Sequence, residues 1–144
     1  MTLNNILAFL ITRLILALIF FMQGFGKVFT WGIDKVYNAD FFYGTFANLL
    51  PEYLIYATVY YTSFIELIGG ALLLIGLKTN YAVYALSTVL IIVTFGHGLA
   101  EPIWDLSHVM YRTILLIALL LMPEKWNKFS MDSLLTKSKP VQLK

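Results

Sequence analysis

The sequence predicts an all-α protein: a four-transmembrane-helix bundle with a short amphipathic interfacial helix between the first and second spans. Of its 144 residues, 60% are hydrophobic and only 12% are charged, and the mean hydropathy is +0.79. A soluble domain carries roughly 25% charged residues. This chain therefore has too little polar surface to cover a water-facing globule, and its length suggests a single domain.

Four segments have the length of about 20 mostly apolar residues that a helix needs to cross a bilayer. The predicted transmembrane domain covers residues 1–123, with spans at 6–28, 54–77, 81–99 and 103–122, and residues 124–144 form a cytoplasmic C-terminal tail. The first span has no basic region before it and no small-residue cleavage site after it. It is therefore predicted to be a retained helix rather than a signal peptide.

The connection between the first two spans, from Trp31 to Pro51, is long for a plain loop. Its apolar side chains predict a short amphipathic helix lying on the outer membrane surface. They are Phe41, Phe42, Phe46, Leu49 and Leu50.

Lysine and arginine predict the orientation of the bundle. Lys78 and five lysines of the C-terminal tail would share one side of a four-span chain, whereas the opposite side has only Lys27 and Lys35. Because basic residues are enriched in cytoplasmic loops, both termini are predicted to be cytoplasmic.

The composition also excludes several function classes. Cysteine is absent, which removes disulfides, thiolate metal sites, cysteine-bound iron–sulfur clusters and thiol–disulfide chemistry. The net charge of +2 is small and no basic run carries interleaved aromatic residues, so a nucleic-acid partner is not expected. The lipid bilayer is the partner that the composition does predict.

Each predicted span has one polar or small-residue face at helical spacing, which is typical of a bundle with a polar interior and a lipid-facing exterior. In order of the spans, these faces are Arg13, Ala17, Phe20, Gly24 and Lys27; Thr62, Ser63, Glu66, Gly69 and Gly70; Thr94, His97 and Glu101; and Asp105, His108 and Arg112.

Glu66 is the acid at the centre of the second span. Counting 1.5 Å per residue from the helix ends places Arg13, Glu66 and Arg112 at similar depths. A charge at the bilayer centre costs at least about 3 kcal/mol, so Glu66 is expected to face Arg13, Arg112 or both. Two interpretations stay open: an ion network that only fixes helix register, and a ligand or proton site inside the membrane.

The sequence GFGK, residues 24–27, resembles the middle of a phosphate loop but lacks the following Ser or Thr and the preceding strand. Its glycines instead predict close contact between helices. Lys27 is expected near the outer interface, where it either extends to the membrane surface or faces the mouth of the bundle.

The stretch HGLAEPIWDLSH, residues 97–108, places His97, Glu101, Asp105 and His108 near the outer surface. An interfacial hydrogen-bond cluster is the favoured interpretation. A metal site, a haem site and a proton-handling or ligand-orienting role are the alternatives, but no metal site is predicted.

The motifs together resemble those of the DoxX-like membrane proteins. RLILALIFFMQGFGKVF resembles the family's opening element, with Arg13, Gly24 and Lys27 at the matching positions. FIELIGGALLLIGL resembles its second-helix signature through Glu66, Gly69, Gly70 and Gly76, and KFSMDSLL resembles a closing motif, with Asp132 matching. The resemblance implies a multi-pass protein of the bacterial inner membrane whose relatives include subunits of quinone-reducing oxidoreductases. No catalytic residue can be transferred from it.

Three functions are therefore compared. The first is a subunit of a quinone-linked membrane oxidoreductase complex, with no intrinsic cofactor, a bound quinone and a partner that supplies electrons. The second is a non-catalytic scaffold or assembly subunit of a larger envelope complex, and the third is a small-anion carrier, which would have to form a homo-oligomer. The candidate ligand- or proton-binding residues are Arg13, Lys27, Glu66, His97, Glu101, Asp105, His108 and Arg112.

Overall fold

The computed structural model describes residues 2–101 and 107–137, with the exception of the side chains of His108 and Lys137. Every regular element in these ranges is helical, as the sequence predicts. The α-helices are α1 (Leu3–Phe25), α2 (Ile33–Tyr37), α3 (Glu52–Ile75), α4 (Thr79–Ala100), α5 (Ser107–Leu121) and α6 (Met131–Lys137).

Three of the described helical stretches are long and apolar enough to cross a membrane, and they correspond to the first three predicted spans. They are Leu3–Trp31, Glu52–Ile75 and Thr79–Ala100. The first consists of α1 and a π-helical continuation, Gly26–Trp31. The apolar stretch in α5, Val109–Leu121, is shorter, and residues 102–106 before it lie outside the described ranges. A fourth crossing therefore stays a prediction.

The four long helices form a ring in which α1 contacts α3 and α5, and α4 contacts the same two helices. Large aliphatic and aromatic side chains fill its centre, among them Phe9, Leu16, Phe20, Leu73, Leu86 and Leu116. Many equally apolar side chains point outward and are exposed, including Ile11, Ile68, Ile91 and Ile117. An apolar exterior is what a lipid-facing bundle requires.

Glycine brings α1 and α3 into backbone contact, as the sequence predicts for Gly24 but not for Gly26, where an added Cβ atom would have no neighbour within 4 Å. Gly24 lies directly against the backbone of Leu67, and Gly70 lies against the backbone of Phe21, so neither position has room for a Cβ atom. These two contacts fix the antiparallel register of the helix pair.

The turn between α3 and α4 defines one end of the bundle, which we name the turn end. Gly76 adopts a left-handed conformation with φ of +67°, and the N–H of Leu77 donates to the carbonyl of Leu72 at 2.9 Å. This is the hydrogen bond of a Schellman motif, and it lets the chain reverse within a few residues.

The connection between α1 and α3 lies at the opposite end, the loop end. Val36 and Tyr37 pack on Ile55 and Val59 of α3. The apolar side chains predicted for this connection lie in two different environments. Phe42, Phe46 and Leu50 pack against these four residues, whereas Phe41 and Leu49 are exposed. The helical pieces here, α2 and a turn at Asp40–Gly44, are short. Their position on the membrane surface stays a prediction.

Part of the predicted tail is folded onto the turn end. A short helical turn, Glu124–Trp126, precedes α6, and Asn127 and Ser130 between them are buried. The N–H of Asp132 donates to the carbonyl of Gly76 at 3.0 Å. We name residues 124–137 the C-terminal segment.

Candidate functional site

The polar faces predicted for the first two spans both point into the bundle. Arg13, Ala17, Phe20 and Gly24 are buried on α1, and Thr62, Ser63, Glu66, Gly69 and Gly70 are buried on α3. The sequence pattern thus identified the inner faces of these helices correctly. Glu66 itself is only 2% exposed.

An ion pair joins the two faces. The Nζ atom of Lys27 lies 2.7 Å from Oε2 of Glu66, and the Lys27 side chain is 23% exposed. Lys27 belongs to the π-helical stretch that continues α1, and such stretches occur frequently at functional sites. Lys27 therefore faces the mouth of the bundle, one of the two positions that the sequence left open.

Arg112 of α5 completes this group, which we name the charged cluster (Lys27, Glu66 and Arg112). Arg112 is buried and its Nη1 donates to Oε1 of Gln23 at 2.7 Å. Its guanidinium carbon lies 5.9 Å from the ring centroid of Phe20, and its charge acts on Glu66. Three helices thus contribute one acid and two cations to a buried location.

The family model named DoxX matches residues 8–98, which is well over half of the chain. The chain belongs to the DoxX family. Comparison with curated proteins gave no match, and comparison with solved structures gave none either. The matched range contains Arg13, Lys27 and Glu66 of this DoxX protein, whereas Arg112 and the C-terminal segment follow it.

The sequence predicts that Glu66 faces Arg13, Arg112 or both. Of these two arginines, only Arg112 acts on it, and the Arg13 alternative is wrong. Arg13 lies at the turn end, where its Nη1 donates to Oδ1 of Asn127 at 3.2 Å and its Nη2 to the carbonyl of Phe129 at 2.7 Å. Its guanidinium also lies against Gly76. The glycine contacts set the register of α1 on α3, and this register places Arg13 beside the α3–α4 turn rather than beside Glu66. Counting residues from helix ends could not reveal such an offset.

Sequence reasoning also missed two partners of the charged cluster. It did not identify Lys27 as the ion-pair partner of Glu66, or Gln23 as a partner of Arg112. A signal was present: Gln23 and Lys27 are four residues apart and therefore share a helix face, the one that also carries Gly24.

Asp132, matched to the family's closing motif, has a defined structural place. Its Oδ1 accepts the N–H of Lys78 at 2.7 Å, and its Oδ2 accepts both the N–H and the hydroxyl of Thr79 at 3.0 Å. The Thr79 hydroxyl also accepts Nδ2 of Asn127 at 3.1 Å. Asp132 thus caps the N-terminus of α4, although it lies far from α4 in the chain. The N-terminus of a helix favours negative charge.

The remaining candidates lie elsewhere. His97 and Glu101, at the C-terminal end of α4, are exposed. Asp105 and the His108 side chain lie outside the described residues, so the predicted cluster over 97–108 stays a prediction. Within the described ranges no group of three His, Asp or Glu side chains could hold a metal ion.

An open apolar groove of about 500 Å³ runs between α4 and α5 on the outside of the bundle. Its polar side chains, Ser87, Thr94 and Thr113, all donate to carbonyls of their own helices. None of the charged cluster lines it. It is therefore a surface for hydrocarbon chains, separate from the charged site.

Proposed function

We propose that this DoxX protein is a membrane subunit of a quinone-linked oxidoreductase complex and that the charged cluster binds the quinone head group. The observation that supports this proposal is the Lys27–Glu66 ion pair, 2.7 Å long, inside an apolar bundle. Charges within a membrane segment are expensive and usually mark a ligand or proton pathway. Arg112 adds a second cation from α5, so the cluster has one positive charge in excess, which suits an electron-rich ligand oxygen.

The chemistry of quinone reduction suits these residues. Reduction of a quinone to a quinol adds two electrons and two protons, and negative charge develops on the carbonyl oxygens before they are protonated. Lys27 and Arg112 can donate hydrogen bonds to these oxygens and stabilise that charge. Glu66, protonated in exchange for its contact with Lys27, can deliver a proton. The electrons come from a partner subunit.

The cluster can be reached from one side. Gln23 is exposed and Lys27 is partly exposed, whereas Glu66 and Arg112 are buried. A head group would therefore meet the lysine first and the carboxylate behind it.

The distribution of basic residues supports an orientation for this site. Lys78, Lys125 and Lys128 belong to the turn end, and Lys27 and Lys35 belong to the loop end. We place the turn end and both termini in the cytoplasm of a bacterial cell, as the positive-inside rule predicts. Cysteine substitution at Lys35 and Lys128, followed by labelling with an impermeant thiol reagent in intact cells, tests this: only the Lys35 position should react.

Quinone binding to the purified protein in lipid nanodiscs tests the proposed site. Glu66→Gln should weaken the binding of a short-chain quinone tenfold or more, which corresponds to about 1.4 kcal/mol. Glu52→Gln is the matched control, because it neutralises an acid on the same helix that bonds to Tyr37 instead. Equal affinity of wild type and Glu66→Gln, or no binding by wild type, would contradict the proposal.

A scaffold subunit is the second candidate, and the exposed aromatic residues at the loop end favour it. Trp31, Phe41 and Tyr53 are all more than half exposed, and aromatic side chains are enriched at protein interfaces. Extraction in a mild detergent distinguishes the two functions. A stoichiometric protein partner without quinone supports the scaffold, whereas quinone that co-purifies and is lost in Glu66→Gln supports the oxidoreductase subunit.

A further inference from the structure

Ser63 of α3 carries a fully buried hydroxyl group that has no hydrogen-bond partner among the described residues. Five other hydroxyl groups of the long helices each donate to a carbonyl of their own helix, three or four residues earlier: Thr62, Ser87, Thr88, Thr94 and Thr113. This is the usual hydrogen bond that Ser and Thr hydroxyl groups form in an apolar helix. Ser63 is 0% exposed, and its Oγ forms no such bond.

The neighbouring residue, Thr62, explains why the Ser63 hydroxyl does not donate four residues back along its own helix. The carbonyl that Ser63 would use, four residues earlier, is that of Val59. This oxygen already accepts the hydroxyl of Thr62 at 3.3 Å, and within an α-helix it also accepts the N–H of Ser63. A carbonyl oxygen has two lone pairs. Both are used, and the Ser63 hydroxyl makes no bond to the carbonyl of Tyr60, three residues earlier, either. Without a further partner it remains unsatisfied, at a cost of about 1–3 kcal/mol.

Glu66 presents a matching acceptor one turn away. Residues three apart on a helix have Cβ atoms about 5–6 Å from each other and share a face, and both Ser63 and Glu66 are buried on the inner face of α3. Lys27 occupies Oε2 of Glu66. Among the described residues, no side chain donates to its other oxygen, Oε1.

We infer that one internal water molecule occupies the space between Ser63 and Glu66, accepts the hydroxyl of Ser63 and donates to Oε1 of Glu66. A buried water needs two to four polar partners, and these two atoms supply two, with no direct hydrogen bond between them. The site is thus a water-binding site on α3, beside the ion pair.

The water gives Glu66 a second proton-exchange partner. A proton can reach or leave Oε1 through the water while Lys27 still holds Oε2, and protonation of the carboxylate then releases Lys27. This consequence rests on the proposed function, because it matters only if Glu66 exchanges protons. The presence of the water does not rest on it.

Infrared spectroscopy of the full-length protein in nanodiscs tests the inference. Wild type should show a narrow O–H stretching band that shifts in heavy-oxygen water, and a Glu66 carboxylate band that is identified by its loss in Glu66→Gln. Ser63→Ala should lose the water band and shift the carboxylate band. Ser87→Ala is the matched control, since it removes a hydroxyl that is satisfied within its own helix, and it should change neither band.

Thr62→Val provides an independent variant. It frees a lone pair on the Val59 carbonyl, so Ser63 can donate to its own helix, and the water band should weaken while Ser63 is still present. A wild-type spectrum without the water band, or Ser63→Ala and Thr62→Val spectra identical to that of wild type, would overturn the inference. If these bands behave as expected but no quinone binds, the water site stands and the quinone function fails.

Discussion

The two ends of the bundle satisfy buried polar groups in different ways. At the turn end, Arg13 donates to neutral oxygens of Asn127 and Phe129, and the charge of Asp132 in the C-terminal segment acts on it. Towards the loop end, Glu66 is paired with a full charge on Lys27, and a second cation lies close by. The turn end is closed by the chain itself, whereas the charged cluster opens through a partly exposed lysine. This difference supports the proposal that the cluster serves a ligand, whereas the bonds of Arg13 hold the C-terminal segment to α1.

Asn127→Ala should have the largest effect on stability. It removes the acceptor of Arg13 and a donor to Thr79, and it leaves a buried guanidinium short of partners. We expect the free energy of unfolding to fall by about 3 kcal/mol. Glu66→Gln should cost less, about 1 kcal/mol, because the amide oxygen of glutamine still accepts from Lys27 and Arg112 keeps its bond to Gln23.

Unfolding in mixed detergent micelles measures both changes, and a double variant sharpens the comparison. Arg13→Met combined with Asn127→Leu removes the charge together with its acceptor, so it should recover most of the stability lost in Asn127→Ala. If Glu66→Gln proves as destabilising as Asn127→Ala, the distinction between a structural end and a ligand-binding cluster is wrong.

Gly24→Ala should have the next largest effect, and it acts on the charged cluster through helix spacing. The added methyl group would meet the backbone of Leu67, so α1 and α3 must separate, at a cost of about 2 kcal/mol. Quinone affinity should fall as well, because Lys27 moves away from Glu66. Gly26→Ala is the matched control. Its position is helical and open, so neither stability nor affinity should fall.

The sequence predicted the helical class, the first three spans and the inner faces of α1 and α3, because each depends on local composition and on the spacing of residues within one helix. It did not predict which residues of different helices meet. Arg13 and Lys27 lie on the same face of the first span, and only the contacts of Gly24 and Gly70 decide which of them reaches Glu66.

The C-terminal segment shows the same limit of sequence reasoning. Polar residues after the last span are typical of a tail, yet Asn127 and Asp132 bind groups on α1 and α4 that are more than 50 residues away in the chain.

Asp132→Ala should cost less than Gly24→Ala, about 1 kcal/mol, which is typical for the loss of a helix cap. The N–H groups of Lys78 and Thr79 would lose their acceptor. Exposed Lys78 can bind water instead, and the hydroxyl of buried Thr79 keeps its bond to Asn127. Thr136→Ala is the control, since its exposed hydroxyl bonds only within α6. The unfolding assay should show the loss in Asp132→Ala alone, with quinone affinity unchanged in both variants. A loss of affinity in Asp132→Ala would extend the functional site to the turn end.

Tyr37→Phe should have the smallest effect near neutral pH, and it tests whether the rest of the loop end belongs to the charged cluster. Tyr37 donates to Oε1 of Glu52 at 3.1 Å. Burial, followed by this hydrogen bond, raises the pKa of Tyr37 to about 12, whereas an unfolded tyrosine has a pKa of about 10. The stability from the protonated phenol is therefore fully present below pH of about 10 and is lost as the pH rises through about 12.

Wild type should lose more stability than Tyr37→Phe between pH values of about 9 and 11.5, as unfolding at each pH would show. Tyr43→Phe, which keeps the Tyr37 hydroxyl, should behave like wild type. Quinone affinity should not change in Tyr37→Phe, because Glu52 lies about 21 Å from Glu66 along α3. A change in affinity would show that residues at both ends of this helix belong to one site.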